Sequence, residues 1–278
     1  MSQQVNDEYP IKPLSDKQLK EIATAKYQTK TDSQSEEVQS YDFPTEIVEL
    51  PSKGKLYPKG HPLSKGSIEM KYMTAREEDI LTNQSFIRQG VVLDKLFKSL
   101  IVTPIDYNDL LLCDKNAIMV AARVLAYGPE YTCDVTNPNT GVVSSQTFNL
   151  AECPFKKLPK EITENKFETT LPISKKTITF KLLTGKDEIS INEELKASKK
   201  INSEIIPELT TRLRHTIISV DGDSSQPVIN NFVQTLLARD SIHLRNEIKK
   251  VTPDIELSQE VEIGGESVKV DIPMTVGF

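Results

Sequence analysis

The feature that most limits what this chain can fold into is a repeated stretch. Ile68-Glu69-Met70-Lys71-Tyr72-Met73-Thr74-Ala75-Arg76-Glu77-Glu78 is echoed by Ile178-Thr179-Phe180-Lys181-Leu182-Leu183-Thr184-Gly185-Lys186-Asp187-Glu188, an offset of 110 (178 − 68). Both copies alternate apolar and polar residues as a half-buried strand does, then place an acid three residues after a Thr. The pattern predicts a strand running into a helix, with a capping box at Thr74 and Glu77 and a weaker one at Thr184, where the acid is the shorter Asp187. A second echo pairs Leu110-Leu111-Leu112-Cys113-Asp114 with Leu236-Leu237-Ala238-Arg239-Asp240, an offset of 126 (240 − 114). Offsets that change along the chain fit a duplication with altered loops, not a short-period solenoid.

The expected fold class is α+β, two related units that each read strands, helices and a β-hairpin, preceded by a disordered N-terminal arm. The arm is placed at 1–43, the first unit at 44–152, a polar connector at 153–165 and the second unit at 166–278. The arm is rich in Gln, Ser, Thr and Lys and cannot bury enough apolar surface to offset its ordering entropy. Ser15 and Gln18 make a capping box ahead of Leu19, Ile22, Ala23 and Lys26, which marks a short helix there, either a docking element or a transient turn in a solvated tail.

In the first unit the pattern predicts helices over Thr74–Thr82, Val91–Val102 and Lys115–Tyr127, the last capped by Asp114 and closed by Gly128. A hairpin of Glu130–Thr136 and Val142–Leu150 follows, across the turn-forming Asn137-Pro138-Asn139-Thr140-Gly141. In the second unit strands are expected near Phe167–Leu171 and Thr177–Leu183. Helices are expected after Thr184, over Glu208–Val220 and over Val228–Val251. The last hairpin, Glu256–Ile263 and Glu266–Pro273, turns at Gly264-Gly265.

Composition narrows the function. The chain has 34 basic and 40 acidic residues, a net charge of −6, so its field repels a phosphate backbone. No apolar run reaches the roughly 18 residues of a membrane span, and Met1-Ser2-Gln3-Gln4 does not open a signal peptide, so a cytoplasmic protein is expected. Cys113, Cys133 and Cys153 are widely spaced and read as buried free thiols.

No catalytic motif stands out. His61, His215 and His243 each lack a His or Cys neighbour at ligand spacing, and Glu77, Glu78 and Asp79 open a helix where acids favour the dipole. The two hairpins have the shape of a zinc ribbon, yet neither bend carries a Cys-x-x-Cys knuckle, so metal-free, degenerate zinc-ribbon-like hairpins are expected, with no cofactor. A soluble enzyme with an unrecognised site is one alternative. A nucleic-acid-binding module using the Lys53–Lys65 loop, with Lys53, Lys55, Lys59 and Lys65, is another, though these lysines have few aromatic partners for bases.

Four blocks carry a resemblance. The first is Leu50-Pro51-Ser52-Lys53-Gly54-Lys55-Leu56-Tyr57-Pro58 with Gly66-Ser67-Ile68-Glu69-Met70-Lys71-Tyr72-Met73-Thr74-Ala75-Arg76-Glu77-Glu78-Asp79-Ile80-Leu81. The others are Gly90-Val91-Val92-Leu93-Asp94-Lys95-Leu96, Tyr127-Gly128-Pro129-Glu130-Tyr131 and Leu236-Leu237-Ala238-Arg239-Asp240-Ser241-Ile242-His243-Leu244-Arg245. From about Glu49 onward the chain resembles the T4-type phage tail baseplate hub proteins, the gene-26-like hub subunits and hub assembly proteins. It departs from them in lacking cysteine knuckles at the hairpins and a longer aromatic C-terminus. The resemblance implies a non-enzymatic role in virion morphogenesis, binding other baseplate hub proteins in the host cytoplasm as a late assembly chaperone or a tail subunit. The expected protein-protein contact residues are Leu19 and Ile22 in the arm and Lys53, Lys55, Tyr57 and Lys59 in the turn-rich loop.

Overall fold

The computed structural model describes residues 43–156, 162–201 and 206–274. The arm expected at 1–43 lies, but for Phe43, outside the described residues. The described residues from Phe43 onward form one compact unit of mixed α+β structure with small antiparallel sheets.

The chain enters as β1 (Thr45–Glu49), crosses a 17-residue loop (50–66) and returns as β2 (Ser67–Lys71), paired from Thr45↔Lys71 to Glu49↔Ser67. Helices α1 (Ala75–Thr82), α2 (Gln84–Gln89), α3 (Val92–Leu100) and α4 (Leu112–Tyr127) follow. Helix α2, not expected from the sequence pattern, starts because Asn83 accepts the amides of Ser85 and Phe86 at 3.0 and 3.1 Å. A hairpin of β3 (Glu130–Thr136) and β4 (Val143–Asn149) closes this half.

The second half opens with β5 (Phe167–Thr170) and β6 (Thr177–Phe180), then α5 (Gly185–Ile201) and α6 (Glu208–Thr216). The helix expected over Glu208–Val220 stops at Thr216. Ile217–Val220 is a strand, β7, which completes a sheet in the order β5-β6-β7. Ile217, Ser219 and Val220 are buried there, and the β-branched run gains more from pairing with β6 than from another helical turn. The helix expected over Val228–Val251 is two helices, α7 (Gln226–Thr235) and α8 (Ala238–Val251), with extended backbone at Leu236 and Leu237 between them. The final hairpin is β8 (Ser258–Ile263) with β9 (Glu266–Asp271).

Three apolar clusters hold the unit. Leu50, Leu56, Leu63, Ile68, Met70, Leu96, Leu100 and Ile118 centre the first; Leu171, Ile178, Phe180, Leu213, Ile229 and Leu244 centre another. The third joins the two hairpins, with Tyr131, Val135 and Phe148 against Ile263, Val268 and Val270. Tyr131 donates to the Pro273 carbonyl at 3.0 Å and Gln259 to the Asn149 carbonyl at 3.1 Å. The described ends of the connector are tied down too. Phe155 bridges Ile255, the Lys156 amide donates to Asp254, and Asn165 exchanges hydrogen bonds with the backbone of Leu182.

The halves touch where α4 begins. The Leu112 amide donates to the Leu183 carbonyl at 3.0 Å and the Gly185 amide to the Leu110 carbonyl at 2.9 Å. A Cβ at Gly185 would lie 3.0 Å from the Asn108 backbone, so glycine permits the close approach.

Candidate functional site

The turn-rich Lys53–Lys65 loop, expected beside the arm as a contact element, lies within the connection over 50–66, whose geometry follows from two anchors. The first is a backbone clasp. The Leu50 amide donates to the Gly66 carbonyl, and Gly54 and Gly66 sit at φ 72° and 80°. A Cβ at Gly54 would stand 2.4 Å from the Ser64 carbonyl oxygen, so only glycine fits.

The second anchor is Asp114, 0% exposed, in the first turn of α4. It was expected to cap the helix from just outside. Instead it reaches across 62 residues of chain to accept the Ser52 amide (3.0 Å) and hydroxyl (2.7 Å), and it accepts the Tyr57 hydroxyl at 2.7 Å. Tyr57 in turn accepts the Leu111 amide at 3.1 Å. Burial pushes the Asp114 carboxyl upward, with hydrogen bonds from Ser52 and Tyr57 opposing. Burial, then the Asp114 charge, raise the Tyr57 hydroxyl far above its ordinary range, so it stays a donor.

The contact residues therefore divide. Lys53, Lys55 and Lys59 are exposed. Tyr57 is 7% exposed, stacks on His61 with ring centroids 5.4 Å apart, and holds the loop from inside. Its expected place on a contact surface is corrected: an aromatic ring with a buried carboxylate partner gains more by packing inward. Leu19 and Ile22 lie outside the described residues. Between positions 50 and 66 the sequence holds four lysines and no acid.

Beside the loop lies a groove of about 620 Å³ lined by Ile47, His61, Pro62, Lys65, Glu69 and Pro104 among others. A second cavity of about 610 Å³ lies in the other half, bordered by Lys181, Asp187, Glu194, Arg214 and His215. Its charges are mutually paired: Lys181 with Asp187 at 2.7 Å, Arg214 with Glu194 at 3.0 Å, His215 with Glu194 at 2.9 Å.

Among the described residues no group of three or more His, Cys, Asp or Glu side chains is placed to hold a metal ion. Cys113 and Cys153 are buried and Cys133 is partly so; all three are free thiols, raised first by burial. No helix among the described residues is long and apolar enough to cross a membrane. Comparison of the chain with protein-family models, curated proteins and solved structures finds no match.

Proposed function

We propose that this chain is a phage tail morphogenesis protein that binds baseplate hub components while the hub is built, as an assembly chaperone or a hub subunit, and performs no chemistry of its own. Its place is the host cytoplasm during assembly and, if it is a subunit, the tail baseplate. The observation that carries the reading is the fate of the most specific resemblance block. Leu50, Ser52, Leu56 and Tyr57 point inward and fix the loop, while Lys53, Lys55 and Lys59 face solvent from a rigid base. A clamped, outward-facing cationic loop is a surface for an acidic protein partner.

Within the same proposal, the two halves are copies of one ancestral unit whose hairpins hold together without zinc. Helix α6 repeats α3 at an offset of 116 at both ends (208 − 92, 216 − 100), and α8 starts 126 after α4 (238 − 112). Asp240 accepts the Ile173 amide as Asp114 accepts that of Ser52, with donors 121 apart (173 − 52).

The test is binding of the full chain to each purified hub component, beside the triple variant Lys53→Glu, Lys55→Glu, Lys59→Glu. The variant is expected to bind one component at least tenfold more weakly with an unchanged melting curve. A wild-type chain that binds no hub component overturns the reading.

A further inference from the structure

Among the described residues the outer edge of β1 is unpaired, and it differs from its counterpart in the second half. The β1–β2 ladder is bracketed by Tyr72 donating to the Pro44 carbonyl and Leu50 donating to the Gly66 carbonyl. Bonded pairs alternate along an antiparallel ladder. Glu46 and Val48 therefore face β2, and Thr45, Ile47 and Glu49 aim their amides and carbonyls away from it. Among the described residues no strand takes them up.

Ile47 is 70% exposed, more than any other large apolar residue described. It shares a sheet face with Ser67 and Glu69 and borders the 620 Å³ groove. In β5 the same argument, bracketed by Leu171 donating to the Lys176 carbonyl, turns Glu168 and Thr170 outward. Exposed edges are ordinarily guarded by charge. At the place where β5 carries Glu168, β1 carries Ile47 (168 − 47 = 121, the same offset as the loop amides), and the outward acid of β1 is instead Glu49 at its end, opposite Thr170 of β5 (170 − 49 = 121).

We infer that β1 receives an extended segment of a partner protein by strand addition, with an apolar residue of that segment set against Ile47. Its acidic end passes Leu50, beyond which the loop carries the exposed Lys53, Lys55, Lys59 and Lys65 and no acid. Main-chain hydrogen bonds would hold the segment, and the groove and lysines would select it. This inference rests on the partner-binding reading and names how the partner is held.

The test uses the full-length chain labelled with nitrogen-15 and an eight-residue synthetic peptide of three acids followed by alternating Val and Thr. Amide hydrogen exchange at Thr45, Ile47 and Glu49 is expected to slow at least tenfold at saturating peptide, with no change at Glu46 and Val48. A peptide N-methylated at alternate amides, and one with lysines replacing the acids, should each bind at least tenfold more weakly. Ile47→Pro should abolish binding without unfolding the chain, because its amide makes no ladder bond and edge strands tolerate proline there. Equal binding of the N-methylated peptide, or no protection of the three amides, overturns the inference. So does protection before peptide is added, which means a second copy occupies the edge if it depends on concentration and the chain's own preceding residues if it does not. An Ile47→Pro chain that still binds hub components normally defeats the strand-addition inference and leaves the partner-binding reading standing.

Discussion

Two strand-to-helix corners, at Thr74 and at Thr184, solve one structural problem with unequal completeness. In the first, Glu77 is 0% exposed and receives Lys71 at 2.9 Å, Ser99 at 2.7 Å, and the Thr74 amide and hydroxyl at 3.0 and 2.5 Å. In the second, Asp187 receives Lys181 at 2.7 Å and the Thr184 amide and hydroxyl at 2.9 Å each. The residue matching Ser99 is His215 (215 − 99 = 116), which bonds Glu194 instead. The shorter acid and the diverted histidine leave a cavity beside Asp187. One carboxylate is sealed by its partners; the other borders solvent. A buried charge needs every lone pair answered, whereas an accessible one tolerates a looser arrangement because water completes it.

The largest expected effect breaks the comparison at its tighter end. Glu77→Ala leaves Lys71 and three donors without their acceptor in a sealed site, and should cost about 3–5 kcal/mol in denaturant unfolding. Asp187→Ala should cost about 1–2 kcal/mol, since water reaches the Lys181 left behind. Equal costs would erase the distinction between the halves.

Next comes the long hairpin loop. Gly54→Ala forces a Cβ into the Ser64 carbonyl at a positive φ, and should lower stability by about 3 kcal/mol, read as a lower denaturation midpoint. Gly60→Ala, also at positive φ but with nothing near the added carbon, should cost only about 1 kcal/mol.

Acid titration sharpens the same contrast. Burial alone would raise the Glu77 carboxyl, but hydrogen bonds from Thr74, Ser99 and Lys71 outweigh it and hold it at about 2, below its ordinary 4.5. A depressed acid contributes stability that is complete above about pH 4.5 and is lost as pH falls through 2. Glu77→Gln should therefore flatten the stability profile in that window. Burial likewise opposes Asp187, whose hydrogen bonds from Lys181 and Thr184 still lower it. Asp114 runs the other way: burial raises its carboxyl, so it favours the fold as pH falls toward the ordinary 3.8 and adds nothing below that, where most of the Glu77 loss occurs.

The smallest effect concerns the short turn that replaces the long loop in the second half. Lys175 sits at φ 59°, and Lys175→Gly should gain about 1 kcal/mol by relieving the left-handed backbone, seen as a modest rise in melting temperature.

Local patterns were legible in the sequence. The two strand-to-helix echoes, the Thr74 cap and both hairpins rest on residues within a few positions of each other, and they stand where the alternation placed them. The Asp187 box was expected to be weaker, and its return bond, the Asp187 amide donating to the Thr184 hydroxyl, is long at 3.4 Å. What the sequence hid depends on contacts far along the chain. Leu209, Leu213, Ile217 and Val220 keep helical spacing, and only the presence of β6 turns the last two into a strand. Asp114 looked like a cap because its partners Ser52 and Tyr57 are 62 and 57 residues away. The Leu-Leu-x-x-Asp echo was the available signal, since a matching acid at the start of two helices also marked the two loop clamps. Of the site itself, the lysines were legible as surface residues. The inward turn of Tyr57 and the exposure of Ile47 were not, because alternation alone does not say which face of an edge strand is covered.

The most direct measurement is quantitative mass spectrometry of purified mature phage particles beside the infected-cell lysate, counting this chain against baseplate subunits. Recovery with hub proteins is expected, at a fixed ratio in particles for a subunit, or only in lysate complexes for an assembly chaperone. Absence from both kinds of assembly would contradict it.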